Sequence, residues 1–267
     1  MSRLENKFAE LNKIKKKALI GFISAGDPDF EYCEKIMKIL PKSGIDIVEL
    51  GLPFSDPMAD GPTIQRSSQR AIKSGFSLKK TFDMIKRFRL KDDKTPIVLM
   101  GYFNLMFQYG IANFFYSMKK FKVDGLIIVD LPPEENALLE NHHKKNKIDI
   151  IRLITPTTDS KRLKIILKNA SGFLYYVSIM GITGTKKPSL KKVSNAVSLI
   201  KKNTKIPIVV GFGINNKSQI KEISRFADGA VVGSSLVKII EDSNKNKIIE
   251  YNHIINQKLS CGASWSM

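Results

Sequence analysis

The chain has 267 residues, 43% hydrophobic and 26% charged, and its 44 Lys plus Arg against 25 Asp plus Glu leave a formal charge of +19. That composition is too apolar for a disordered tail, and no apolar run approaches the roughly 18 residues that span a bilayer. The two cysteines, Cys33 and Cys261, form no CxxC pair, which argues against a disulfide framework and a Cys-based zinc site.

A pI near 9.8 invites a nucleic-acid or anionic-membrane reading. The positive residues, however, are mostly lysines spread along the chain, from Lys13–Lys17 to Lys201–Lys202, with no arginine-rich arm to read bases. They read as the solvated faces of many helices. The N-terminal stretch MSRLENKFAELNKIKKK lacks the apolar core of a signal peptide, so a cytoplasmic protein is expected.

In chain order, Met1–Lys16 reads as a helix that caps the start of the fold. Eight short apolar, β-branched runs follow: Ala18–Ser24, Ile45–Leu50, Ile97–Gly101, Gly125–Val129, Asp149–Ile154, Gly172–Val177, Ile206–Gly211 and Gly229–Val232. Their continuous hydrophobicity suits parallel strands covered by helices, and every interval is long enough for a crossover helix. The longest interval, after the second run, holds two helical stretches, Pro62–Lys73 and Leu78–Leu90. Eight β-α units predict an α/β fold, a single (β/α)8 TIM barrel over residues 1–267 with an extra N-terminal helix and an extra helix after strand 2. An open doubly wound sheet competes, but about five to seven strands would suit it better. The end, Ser260–Met267, leaves the helical pattern and reads as a frayed terminus.

A barrel builds its active site from the loops at the C-terminal ends of its strands. His142, His143 and His253 all fall in helical stretches, so a His-liganded metal site or a Ser-His-Asp system is not expected, and acid-base work falls to carboxylates. In the second run, alternation puts Ile45, Ile47 and Glu49 on one face. A desolvated carboxylate there gains a raised pKa suited to proton transfer; a Glu hydrogen-bonded to a neighbouring loop fits the pattern equally. The following loop, Leu52 to Thr63, carries Asp56 and Asp60 among three prolines. Asp56 suits a Ser-Asp-Pro turn, and Asp60 suits either a site or the cap of the helix starting near Pro62. Glycine-rich loops follow the last three runs, at Gly181–Thr185, Gly211–Asn215 and Gly233–Ser235. Together they favour a bound phosphate near a helix start.

The stretch Val48-Glu49-Leu50-Gly51-Leu52-Pro53-Phe54-Ser55-Asp56-Pro57-Met58-Ala59-Asp60-Gly61-Pro62-Thr63-Ile64-Gln65 resembles the signature of the tryptophan synthase alpha chain family. Phe22-Ile23-Ser24-Ala25-Gly26-Asp27-Pro28, Gly101-Tyr102-Phe103-Asn104, Val129-Asp130-Leu131-Pro132, Gly181-Ile182-Thr183-Gly184 and Gly211-Phe212-Gly213-Ile214 support it in family order. The resemblance implies a lyase that cleaves indole-3-glycerol phosphate to indole and glyceraldehyde 3-phosphate by a retro-aldol route. Glu49 would move protons, and Asp60 would bind the indole N–H and stabilise developing positive charge. Gly184, Gly213, Gly233, Ser234 and Ser235 would hold the phosphate. Phe22, Ile64, Met100, Ile127, Tyr175 and Phe212 would wall the indole pocket, with Thr183 closing as a lid onto Asp60. Ser178-Ile179-Met180 departs from members that carry an Arg there. No cofactor or metal is implied on this chain. Pyridoxal phosphate is expected on a partner beta chain, in an alpha2-beta2 tetramer, with Asp56, Asn104 and Pro132 facing that partner. The rival readings are a stand-alone indole-3-glycerol phosphate lyase, another phosphate-binding barrel such as a sugar-phosphate isomerase, and a basic nucleic-acid binder on an inactive barrel.

Overall fold

The computed structural model describes residues 1–178, 189–211, 213, 214 and 216–242; Thr183, Gly184, Phe212, His253 and the Ser260–Met267 end therefore lie outside the described residues. The strands are β1 (Ala18–Ser24), β2 (Ile47–Gly51), β3 (Ile97–Gly101), β4 (Gly125–Ile128), β5 (Asp149–Ile150), β6 (Arg152–Ile154), β7 (Leu174–Val177), β8 (Ile208–Gly211) and β9 (Gly229–Val232). They pair in parallel in the order β5-β4-β3-β2-β1-β9-β8-β7-β6. The two edges of this sheet, β5 and β6, belong to one extended segment interrupted only at Ile151. The sheet therefore closes on itself through that segment, as an eight-position barrel wrapped by helices.

That interruption corrects the expectation of one continuous strand over Asp149–Ile154. Asp149 and Ile150 pair with β4, whereas Arg152–Ile154 pair with β7. The stagger of a closed barrel shares the segment between its two neighbours. The second strand also starts later than its apolar run. Ile45 packs in the outer layer, against the α-carbon side of Gly21, and does not share a face with Ile47. Between them, the Asp46 carboxylate accepts from the Leu19 N–H at 2.9 Å and from Lys16 at 3.0 Å, so the strand proper begins at Ile47. The sixth and seventh runs likewise become strands only at Leu174 and Ile208.

Strand alternation builds two layers. Ile20, Phe22, Ile47, Val98, Ile127, Ile151, Phe173, Val209 and Val231 fill the barrel, while Leu19, Ile23, Val48, Leu50, Leu99, Leu126, Leu174 and Val210 face the helices. Both faces are buried, which is why the runs are apolar without interruption. The N-terminal helix spans Arg3–Lys13 and starts in a capping box between Ser2 and Glu5. It is shorter than its helical pattern because Lys15 turns to φ +54°. Leu4 and Leu11 join the inner core, the Phe8 ring lies 5.9 Å from Phe173, and Arg3 pairs with buried Asp124 at 2.9 Å. This helix closes the N-terminal end of the barrel, so the opposite end is left for chemistry.

Candidate active site

Glu49 follows Ile47 on the inner face of β2, level with Phe22 of β1. Its side chain is buried, and Oε2 has no hydrogen-bond partner. Burial first, and the nearby Asp60 charge second, push its carboxyl up to about 8. A carboxyl in that state is neutral at pH 7 and holds a proton it can give away. Among the described residues, no neighbouring loop supplies a hydrogen bond to that oxygen.

Asp60 hangs from the loop between β2 and the helix Pro62–Lys73. The cap of that helix is Gly61, with no side-chain cap bond, so Asp60 is free of the helix-start role. Its carboxylate faces Tyr102 instead, whose hydroxyl donates to Oδ2 over a long 3.3 Å and accepts from the Ala59 N–H at 3.0 Å. Burial raises Asp60 to about 6, and the Tyr102 hydrogen bond holds it down. The Tyr102 ring also stacks on Phe54, with centroids 5.0 Å apart, so β3 steadies both ends of the loop. Burial thus raises both carboxyls, and Glu49, the more deeply buried of the two and the one further raised by its neighbour's charge, is the one this environment favours to carry a proton. Asp56 bonds its neighbour Ser55 at 2.5 Å and stays exposed, as a turn residue does.

Phe22, Ile64 and Met100 wall a small cleft together with Asp60 and Tyr102. Ser24, Ser68 and Val129 also border it, and none of them, nor Tyr102, stood out from the sequence as site residues. Position was the available signal for Tyr102, which directly follows a strand end. Ile127 lies fully buried in the inner core, and Tyr175 packs over Gly211; both point into the barrel without bordering this cleft. Two glycines make room for these rings. A Cβ on Gly51 would sit 2.4 Å from Phe22 Cζ, and one on Gly211 2.7 Å from the Tyr175 hydroxyl. Burial and the Glu49 charge raise that phenol well above its ordinary value, so it stays protonated.

Beside the cleft, Gly233 follows β9 and leads into the helix Ser234–Asp242, close to the Phe22 side chain. The first bond at this helix start runs from the Val237 N–H to the Gly233 carbonyl, which leaves the N–H groups before it without partners inside the helix. Ser234 is exposed, whereas the Ser235 hydroxyl already donates to the Ile214 carbonyl at 2.8 Å. Gly213 is exposed with φ +60°. Among the described residues, no three His, Cys, Asp or Glu side chains gather where they could hold a metal ion. No described helix is long and apolar enough to cross a membrane.

The family model described as tryptophan synthase alpha chain matches residues 8–263. Among solved structures, tryptophan synthase subunit alpha from Legionella pneumophila str. Paris is 35% identical at a TM-score of 0.88, over 96% of each chain. A chain from Aquifex aeolicus VF5 is 36% identical at 0.88, over 96% of this chain and 97% of that one. The aminoacrylate-bound form of tryptophan synthase from M. tuberculosis is 28% identical at 0.86, with the same coverage.

Proposed function

Because the chain belongs to the tryptophan synthase alpha chain family, the lyases that cleave indole-3-glycerol phosphate to indole and D-glyceraldehyde 3-phosphate in L-tryptophan biosynthesis, we propose how its own residues carry that retro-aldol reaction. The observation that carries the reading is the buried, unpartnered and proton-bearing Glu49 carboxyl beside an ionisable Asp60. Glu49 donates its proton to C3 of the indole, which makes the ring a leaving group. The resulting carboxylate then takes the proton from the glycerol hydroxyl that becomes the aldehyde. Asp60 accepts a hydrogen bond from the indole N–H, and its charge stabilises the cation that develops on the ring. The protonated indole is itself the electron sink, so the chain needs no cofactor.

Phe22, Ile64 and Met100 flank the indole, Ile127 and Tyr175 back the pocket from the barrel core, and Phe212 is a further wall. The phosphate sits at Gly184, Gly213, Gly233, Ser234 and Ser235. Of these, the Ser235 hydroxyl serves only by giving up its bond to Ile214, so its backbone N–H is the better donor. Thr183 closes over the bound substrate toward Asp60.

The partner is a beta chain that holds pyridoxal phosphate, in an alpha2-beta2 tetramer in the cytoplasm. Support comes from the segments that follow β2, β3 and β4: exposed Met58, Phe107 on the helix Phe103–Tyr109 and Leu138 on the helix Ala137–Asn146 lie in the same stretches of chain as exposed Asp56, Asn104 and Pro132. Large apolar side chains left in water at one end of a barrel suit a protein interface. The test is indole release from indole-3-glycerol phosphate, with and without the matching beta chain. Slow release alone and marked acceleration by the partner are expected. No indole under either condition would refute the reaction, and full activity alone, unchanged by the partner, would refute the partnership.

A further inference from the structure

At the open end of the barrel, one arginine ties together three segments that border the site. Arg70, on the helix Pro62–Lys73, donates from Nε and Nη2 to the two carboxylate oxygens of Asp27 at 2.7 and 2.9 Å. Its Nη1 donates to Oε1 of Glu241 at 2.7 Å. Asp27 lies buried in the loop after β1, and Glu241 lies in the last turn of the helix Ser234–Asp242. Arg66, one turn before Arg70, adds a two-point pair to Glu241 at 2.9 and 3.1 Å. The same helix is fastened to the end of β1 by a 2.6 Å bond between the hydroxyls of Ser24 and Ser67. At its start, Gln65 Nε2 donates to the Asp60 carbonyl at 2.9 Å.

We propose that Arg70 is a positioning residue through which phosphate held at the start of the helix Ser234–Asp242 sets the placement of Asp60 for carbon–carbon cleavage. This rests on the reading above that seats the phosphate at Gly233 and Ser234. A phosphate remote from the breaking bond raises kcat only if its binding energy is used to place the reacting groups. That use requires a stiff path between the two. Here the helix that meets the phosphate at its start is held at its end to the helix that follows Asp60. A guanidinium satisfies two carboxylates from two segments in one plane, which a lysine ammonium does not.

Removing Arg70 outright leaves Asp27 as a buried, unpaired charge and endangers folding. Glu241→Gln is the cleaner perturbation, because it keeps the Arg70–Asp27 pair and loosens only the link to the phosphate-bearing helix. Steady-state kcat and KM for indole release are measured with the full chain on indole-3-glycerol phosphate and on its dephosphorylated analogue, with thermal melts as a folding control. The expected result for Glu241→Gln is a fall of about tenfold in kcat on the phosphorylated substrate, little change in KM, and a far smaller loss on the analogue. Arg70→Lys, if folded, should follow the same pattern. Equal losses on both substrates, a change confined to KM, or an unaltered kcat on the phosphorylated substrate would overturn the role of Arg70. If the wild-type chain instead turned over both substrates equally, the phosphate reading itself would fall, and this inference with it.

Discussion

Replacing Glu49 with Gln keeps the side-chain shape and removes the proton. The carboxyl is raised from its ordinary 4.5 to about 8, by burial first and by the Asp60 charge second. Between those two pH values the folded chain keeps a proton that the unfolded chain releases. Stability therefore falls as pH rises through this window, and it is unaffected by this group below it. At about 1.4 kcal/mol for each pH unit, ionising Glu49 in the folded chain costs on the order of 5 kcal/mol, a large share of a typical stability of roughly 5–15 kcal/mol. Gln pays no such cost at any pH. The stability of Glu49→Gln minus that of the wild type, from urea unfolding at pH 5, 7 and 8.5, should climb by several kcal/mol across the series. Any fixed effect of the amide in the pocket cancels in that slope. Indole release by the same variant should drop at least about 10²-fold. A stability difference that stays flat with pH would mean that Glu49 titrates like an exposed carboxylate and holds no proton at neutrality. Near-normal indole release by the folded variant would remove Glu49 from the reaction.

With Asp60 raised to about 6, an acid limb of kcat/KM is expected near that pH, and Asp60→Asn should abolish it and lower turnover more than binding; a rise in KM alone would reduce Asp60 to a binding group. Tyr102→Phe deletes the hydroxyl that holds Asp60 down, and the acid limb should move to higher pH; a limb that stays in place would show the 3.3 Å contact to be inert. Gly51→Ala brings a methyl to 2.4 Å from Phe22 Cζ, which forces the ring into the cleft. KM for indole-3-glycerol phosphate should rise with only a modest fall in melting temperature, and an unchanged KM would show that Phe22 is not a wall of the bound indole.

Much of the barrel is local information. Strands buried on both faces must be apolar at every position, so β1, β3 and β9 occupy the bounds their sequence runs predict. The helix Pro62–Lys73 also begins and ends where its pattern does, with Pro62 at a position that needs no N–H. Strand alternation alone turns Glu49 inward beside Ile47. What the chain could not reveal locally is what each of these groups meets. The partner switch at Ile151 exists only because a ring must close. Asp60 passes for a helix cap until Tyr102, 42 residues away, is seen beside it, and Arg70 finds Asp27 and Glu241 at separations of 43 and 171 residues. The proton on Glu49 is of the same kind. Alternation gives its direction, but its raised pKa comes first from the loss of water as distant strands and helices close over it, with the Asp60 carboxylate on the loop that follows β2 adding to it.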